Sequence, residues 1–241
     1  MPRRYPLLGT EDPQEEKAKR PFTMRAEQEI WDLGDPVQKR VVTKERHSEF
    51  AMGLKSSKYP FVPDHTAPAM VPRLAWLTEI QSLDYALLLP DLIEGLTDRE
   101  KVNYDIAMTA ITDIFKHGPT EKVIDALPTL TIAVKKAFAM NNIKVTRRVI
   151  EALRRMCVIE PGVGPDLAFY MHEILVPLNF YFNQMKNQND QIVYNETLYS
   201  DLYDPIDGLV KLFLRISGPE LDTAERNIKK AIPVYQISRE P

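Results

Sequence analysis

One short stretch, Leu127-Pro128-Thr129-Leu130, has three counterparts elsewhere in this 241-residue chain. Each counterpart also places a proline between apolar residues, beside an amphipathic helical pattern: Leu89-Pro90-Asp91-Leu92, Val176-Pro177-Leu178 and Ile232-Pro233-Val234. Proline favours the first turn of a helix, because its fixed φ suits the helix and its missing N–H would be unpaired there anyway. We therefore expect the first three of these prolines to mark helix beginnings.

The motif recurs about every 40 to 50 residues, with a second helical stretch between copies, which is typical of HEAT and armadillo repeats. The sequence thus predicts an all-α protein, an armadillo/HEAT-like superhelix. Its start signals include a cap at Asp84, a capping box at Thr97-Asp98-Arg99-Glu100, and a short turn at Thr120 before a helix from Pro128. The predicted helices are 85–96, one after the capping box, 128–140, 144–157, 166–175, 178–185, 198–216 and 220–231. Pro90 lies inside the first of these, where we expect a break or restart near Leu89.

The two parts of the chain differ in composition. Residues 1–73 hold nine of the 19 prolines and few sustained apolar runs, which predicts a largely irregular N-terminal arm. Its one helical candidate is 24–33, and Tyr59-Pro60-Phe61-Val62-Pro63 should be extended. Residues 74–241 carry the helical-repeat domain, and only 73–80 has a possible strand pattern.

Composition argues against several classes of function. A formal net charge of −3 is unlike the strongly basic balance of most nucleic-acid-binding domains. The single cysteine, Cys157, cannot form an internal disulfide or a cysteine-cluster metal site. Catalytic and metal-ligand spacings are missing, and no apolar run is long enough to span a membrane. We therefore expect a non-catalytic intracellular protein without cofactors.

Basic residues form the one polar pattern with helical spacing. They recur at i, i+3, i+4 and i+7 on the helix after Asn142, opposite its apolar stripe, and two more lie on the preceding helix. Such a stripe is either a solvated helix face or a ridge that faces an acidic partner. The candidate ridge residues are Lys135, Lys136, Lys144, Arg147, Arg148, Arg154 and Arg155, with Lys39, Arg40, Lys44 and Arg46 of the arm as helpers.

Several stretches, in this order and spacing, resemble the Parkin co-regulated protein family. The resemblance runs from about residue 48 to residue 235. It differs at residues 53–58, where the family usually carries an aromatic and charged stretch. The stretches are Ser48-Glu49-Phe50, Tyr59-Pro60, Asp64-His65, Trp76 through Tyr85, Leu89-Pro90, Gly95-Leu96, Leu127 through Leu130, Val134 through Ala137, Ile174 through Asn179, and Asn227 through Tyr235.

The resemblance implies an armadillo/HEAT-like protein of cilia and flagella, located at the inner junction where the B-tubule of a doublet microtubule closes on the A-tubule. It implies α/β-tubulin as a partner, together with a small cilia-and-flagella-associated β-sheet protein, and it implies no catalysis. The expected location is the cytoskeleton of the cytoplasm, in the axoneme of a cilium or flagellum. Tubulin surfaces are acidic, so a basic ridge could dock on them electrostatically. A soluble armadillo-type adaptor that binds a peptide or protein client in its groove remains the alternative function.

Overall fold

The protein is predominantly helical in the computed structural model, which describes residues 48–64, 73–181 and 196–237, without the side chains of residues 196–201. These residues lie within one compact unit, His47–Pro241. The all-α class predicted from the sequence is therefore confirmed for this part of the chain. The elements are α1 (Glu49–Lys55), β1 (Phe61–Asp64), β2 (Arg73–Trp76), α2 (Tyr85–Leu96), α3 (Lys101–His117), α4 (Thr120–Ala139), α5 (Ile143–Ile159), α6 (Gly164–Leu175), α7 (Glu196–Ile216) and α8 (Leu221–Ala231).

The helices pack mainly with their second neighbours along the chain. Helix α4 packs between α2 and α6, and α6 packs in turn against α8. In the same way α5 packs between α3 and α7, so the even-numbered and odd-numbered helices form two series. Apolar side chains from both series make one hydrophobic core. In α5 this includes the whole predicted stripe, Val145, Val149, Leu153, Met156 and Cys157, all of which are buried.

The prediction that the prolines begin helices is wrong for two of the three motifs. Pro90 lies inside α2, whose bounds are those predicted, but the helix continues through Leu89 without the expected break. Pro128 lies inside α4, so 120–139 is one continuous helix rather than a turn and a new helix. Only Pro177 lies in the first turn of a helical segment, the 3-10 turn Val176–Leu178. Pro233, in the fourth copy of the motif, lies just after the C-terminal end of α8. Both helices continue past their prolines because the preceding leucines, Leu89 and Leu127, are buried in the core. The free energy gained from this tertiary packing outweighs the low helix propensity of proline.

The predicted helix starts are partly correct. The Asp84 carboxylate accepts a hydrogen bond from the Ala86 N–H and caps α2, as expected. The predicted capping box at Thr97 does not form. The Thr97 hydroxyl donates to the backbone carbonyl of Glu94, in the preceding helix, and the N-cap residue of α3 is Glu100. Asp98 takes over the role predicted for Thr97 by accepting from the Glu100 N–H at 3.0 Å.

Residues 48–64 of the predicted arm pack against the helices. Helix α1 contacts α2, and β1 pairs antiparallel with β2, with Phe61 opposite Trp76. Phe50, Tyr59, Phe61 and Trp76 form a chain of aromatic contacts with ring centroids 5.0 to 5.6 Å apart. The Trp76 indole N–H also donates to Asp113 on α3, at 3.2 Å. Phe50, Tyr59 and Trp76 therefore attach this segment to the helical body.

Candidate functional site: the basic side of α5

The outward side of α5 carries three exposed cations, Lys144, Arg147 and Arg154, which we call the basic face. Asn142 caps the helix, since its side-chain Oδ1 accepts from the backbone N–H groups of Lys144 and Val145 at 3.0 and 3.4 Å. Arg147 and Arg154 follow Lys144 at i+3 and i+10, and this spacing puts all three on one side of a helix with 3.6 residues per turn. The buried stripe of the same helix faces the core. The amphipathic pattern thus determines which cations face solvent.

Arg148, one position from the basic face, serves the fold instead. One of its Nη atoms donates to the carbonyl oxygens of Leu96 and Asp98, at 3.0 and 2.8 Å. Its guanidinium carbon lies 3.4 Å from the centroid of the Tyr104 ring, a cation–π contact. The side chain therefore satisfies carbonyls at the C-terminal end of α2, where the helix dipole also favours a cation. Arg148 contributes little free charge to a partner.

Arg155 is also occupied within the chain. Its Nε donates to Glu151 at 3.0 Å, and an Nη donates to the Thr112 hydroxyl of α3 at 3.1 Å. This residue joins α5 to α3 and is partly neutralised by Glu151. The basic pattern read from sequence therefore contains two kinds of residue, those that connect helices and those that face solvent.

The two lysines of α4 are exposed but differ in their partners. Lys135 lies 3.8 Å from Glu173 of α6, with about half of each side chain exposed. Such a surface pair contributes about 0 to 1 kcal/mol. Lys136 makes no ion pair within the described residues, and it borders a hollow between α2 and α4 with a volume of about 630 Å³. Lys136 is the α4 cation that remains available to a partner.

The arm residues predicted as helpers, Lys39, Arg40, Lys44 and Arg46, lie outside the described residues. So do the helical candidate 24–33 and the second half, 182–185, of the predicted helix 178–185.

A groove beside the basic face was missed by the sequence reasoning. It lies where α5, α7 and α8 come together, has a volume of about 930 Å³, and has Arg154 on its wall. Helix α7 adds Gly208, Lys211 and Arg215 to this groove. The one available signal was Gly208, a glycine in the middle of a strong helical pattern, where it costs about 1 kcal/mol relative to alanine.

Acidic groups surround the α1–α2 contact. Asp98 accepts hydrogen bonds from the Ser48 hydroxyl at 2.6 Å and from the Asn103 amide at 3.0 Å. Burial opposes ionisation of Asp98, but these bonds and the backbone N–H groups of Arg99 and Glu100 outweigh it and lower its pKa. At Glu94, burial and the nearby Glu49 and Asp91 raise the pKa instead.

The described body is thus a helical protein with two series of packed helices and a basic helix face beside a groove. None of the described helices combines the length and the apolar character that a membrane span requires. The chain belongs to the Parkin co-regulated protein family, because the model of that family matches residues 48–237. It is also similar to the mouse Parkin coregulated gene protein homolog, with 29% identity over 178 residues, covering 74% of this chain and 71% of the mouse protein.

Proposed function

We propose that this protein is a non-catalytic structural microtubule-associated protein. It binds α/β-tubulin and links A-tubule and B-tubule protofilaments at the inner junction of doublet microtubules in cilia and flagella. Family membership supports this proposal, because the resemblance read from the sequence implies that location and those partners. Its neighbours there would include small cilia-and-flagella-associated proteins.

The single observation that carries tubulin binding is the basic face of α5. Lys144, Arg147 and Arg154 are exposed on one side of a rigid helix, and Lys136 of α4 is exposed as well. An array fixed on a helix can complement an acidic surface without first ordering a loop. Arg148 and Arg155 support this array from within the fold, and Lys39, Arg40, Lys44 and Arg46 of the arm are proposed as additional contacts.

The packing of alternate helices supports an armadillo/HEAT-like superhelix as the architecture of the body. In such a fold each helix contacts its second neighbours, so alternate helices form continuous surfaces. Residues 1–73 would form the arm of this body, and 74–241 its repeat domain.

Co-sedimentation with polymerised tubulin tests the proposal. The wild-type protein should pellet with microtubules at low salt and be released as the salt concentration rises, because exposed ion pairs are screened. Arg147→Glu with Arg154→Glu should weaken pelleting at every salt concentration. The matched control is Lys101→Glu with Lys116→Glu, which makes the same charge change at two exposed positions of α3.

Equal loss in both double variants would show that net charge alone governs pelleting, and unchanged pelleting in the α5 variant would eliminate the basic face. The inner-junction location is tested separately by asking whether the protein stays with doublets during salt extraction of axonemes. A soluble adaptor function is favoured by the groove beside α5, and it would be indicated by early extraction and no co-sedimentation.

A further inference from the structure

The groove beside the basic face has an apolar lining that solvent can reach. Val158 of α5 is 68% exposed and Leu221 of α8 is 38% exposed, although both are large aliphatic residues. Leu212 and Ile237 are half-buried in the same lining. With a volume of about 930 Å³, the groove is within the size range of sites that bind drug-sized ligands or short peptide segments.

Two arginines on the groove are available to a ligand. Arg154 and Arg215 are exposed, and neither has a hydrogen bond or ion pair with another part of the chain that the structure describes. Lys211 differs, because its ammonium lies 3.0 Å from Asp207 of the preceding turn. Planar guanidinium groups pair with carboxylates through two parallel hydrogen bonds, and they do so best beside apolar surface that excludes water.

The acidic residues of the groove offset this charge only in part. Asp222 is exposed in the first turn of α8, where the helix dipole already favours a carboxylate. Glu225 is 8% exposed and has a partner within the chain. Apart from Lys211, which is paired with Asp207, the accessible charge therefore consists of the guanidinium groups of Arg154 and Arg215 against one carboxylate, that of Asp222.

Gly208 lines the groove on the side of α7, next to Arg154. A Cβ atom at this position would lie 3.8 Å from an Nη of Arg154, an ordinary van der Waals distance, with no other close neighbour among the described atoms. The glycine is thus not required by close packing of backbones. A larger side chain here would extend into the space beside Arg154.

We propose that this groove binds a peptide segment of another protein that carries carboxylates together with at least one large apolar side chain. The apolar side chain packs on Val158 and Leu221, and the carboxylates pair with Arg154 and Arg215. This inference does not depend on tubulin binding, because it concerns a concave site lined by α7 and α8 as well as α5.

The test uses full-length protein and fluorescence anisotropy of a short labelled peptide of repeated Glu-Leu-Glu-Phe units. The protein should bind this peptide better than a version with Lys in place of Glu, and better than one with Ser in place of Leu and Phe. Arg154→Glu with Arg215→Glu should weaken binding about tenfold or more, because truncated and reversed charge pairs typically cost over 1.4 kcal/mol. Lys101→Glu with Lys116→Glu on α3 should leave binding unchanged.

Gly208 supplies a second, independent pair of variants. Gly208→Leu should fill the groove and weaken binding about tenfold, while both it and Gly208→Ala should raise the Tm of the protein, because both residues have a higher helix propensity than glycine. Gly208→Ala adds one methyl group, so it should bind within about twofold of wild type. Undiminished binding by Gly208→Leu would overturn the proposal, as would equal binding of the Lys or Ser peptide, or no measurable binding of the Glu-Leu-Glu-Phe peptide. Since the assay contains no tubulin, these results are separate from the co-sedimentation experiment.

Discussion

Replacing Arg148 by alanine should destabilise the protein far more than the same change at Arg154. Both are arginines of α5, and the sequence pattern assigns them to one basic stripe. Arg148 donates two hydrogen bonds to carbonyls at the end of α2 and stacks on Tyr104, whereas Arg154 has no partner among the described residues. The pair of variants therefore isolates what tertiary contacts add to an otherwise identical substitution.

The expected magnitude follows from these contacts. Hydrogen bonds from a charged donor contribute about 1.5 kcal/mol or more each, and a cation–π contact contributes about 1 kcal/mol. Because the side chain is only half-buried, solvent offsets part of this sum, and we expect Arg148→Ala to cost about 2 to 3 kcal/mol. For a chain of this size the cost corresponds to a fall in Tm of about 5 to 10 °C. Arg154→Ala should change stability by less than about 0.5 kcal/mol.

Urea unfolding followed by circular dichroism at equilibrium measures both values. Arg148→Lys is an informative third variant, since it keeps the charge but loses the planar group that stacks on Tyr104. We expect it to recover about half of the lost stability. Equal stability of Arg148→Ala and Arg154→Ala would refute the assignment of Arg148 to the fold. A Lys variant as stable as wild type would show that charge alone, without the stacking geometry, accounts for the effect.

Three further outcomes follow from single sites. Burial raises the pKa of the Cys157 thiol to about 12, so iodoacetamide at pH 8 should label it only after unfolding, as mass spectrometry of native and urea-treated protein can check. Glu94 has a raised pKa, so its ionisation opposes folding as pH rises through that pKa. Glu94→Gln should therefore stabilise the protein at pH 7, with the gain disappearing below the ordinary glutamate pKa of about 4.3, as paired urea titrations would show. Pro128 is exposed inside α4, and Pro128→Ala restores an N–H donor to the Ile124 carbonyl, so Tm should rise rather than fall.

Helix content and the buried stripes were accessible to sequence reasoning, because they depend on short-range periodicity. In α5 the spacing of Val145, Val149 and Leu153 identifies the buried side, and the helix predicted over 144–157 lies within the observed Ile143–Ile159. The same reasoning failed at Pro90 and Pro128. Local rules place proline at helix starts, but in α2 and α4 the burial of adjacent leucines compensates for a missing hydrogen bond. The spacing of the prolines therefore does not indicate where repeat units begin.

The basic residues of α5 show a second limit of prediction from sequence. Spacing placed Arg147, Arg148, Arg154 and Arg155 on the polar side of α5, and that much is correct. Whether an arginine faces solvent or satisfies a carbonyl of another helix depends on residues about 50 positions away, such as Leu96 and its partners. No pattern within one helix contains this information.

By itself, the chain's amino-acid order determined the helical class, the buried side of each long helix and the family to which the protein belongs, since all three depend on residues near one another or on their order. Only the folded arrangement decided which cations are available and where a groove forms. Val158 and Arg154 of α5 line that groove together with residues of α7 and α8, among them Gly208. Such long-range juxtapositions result from the packing of the whole core, and no local segment encodes them.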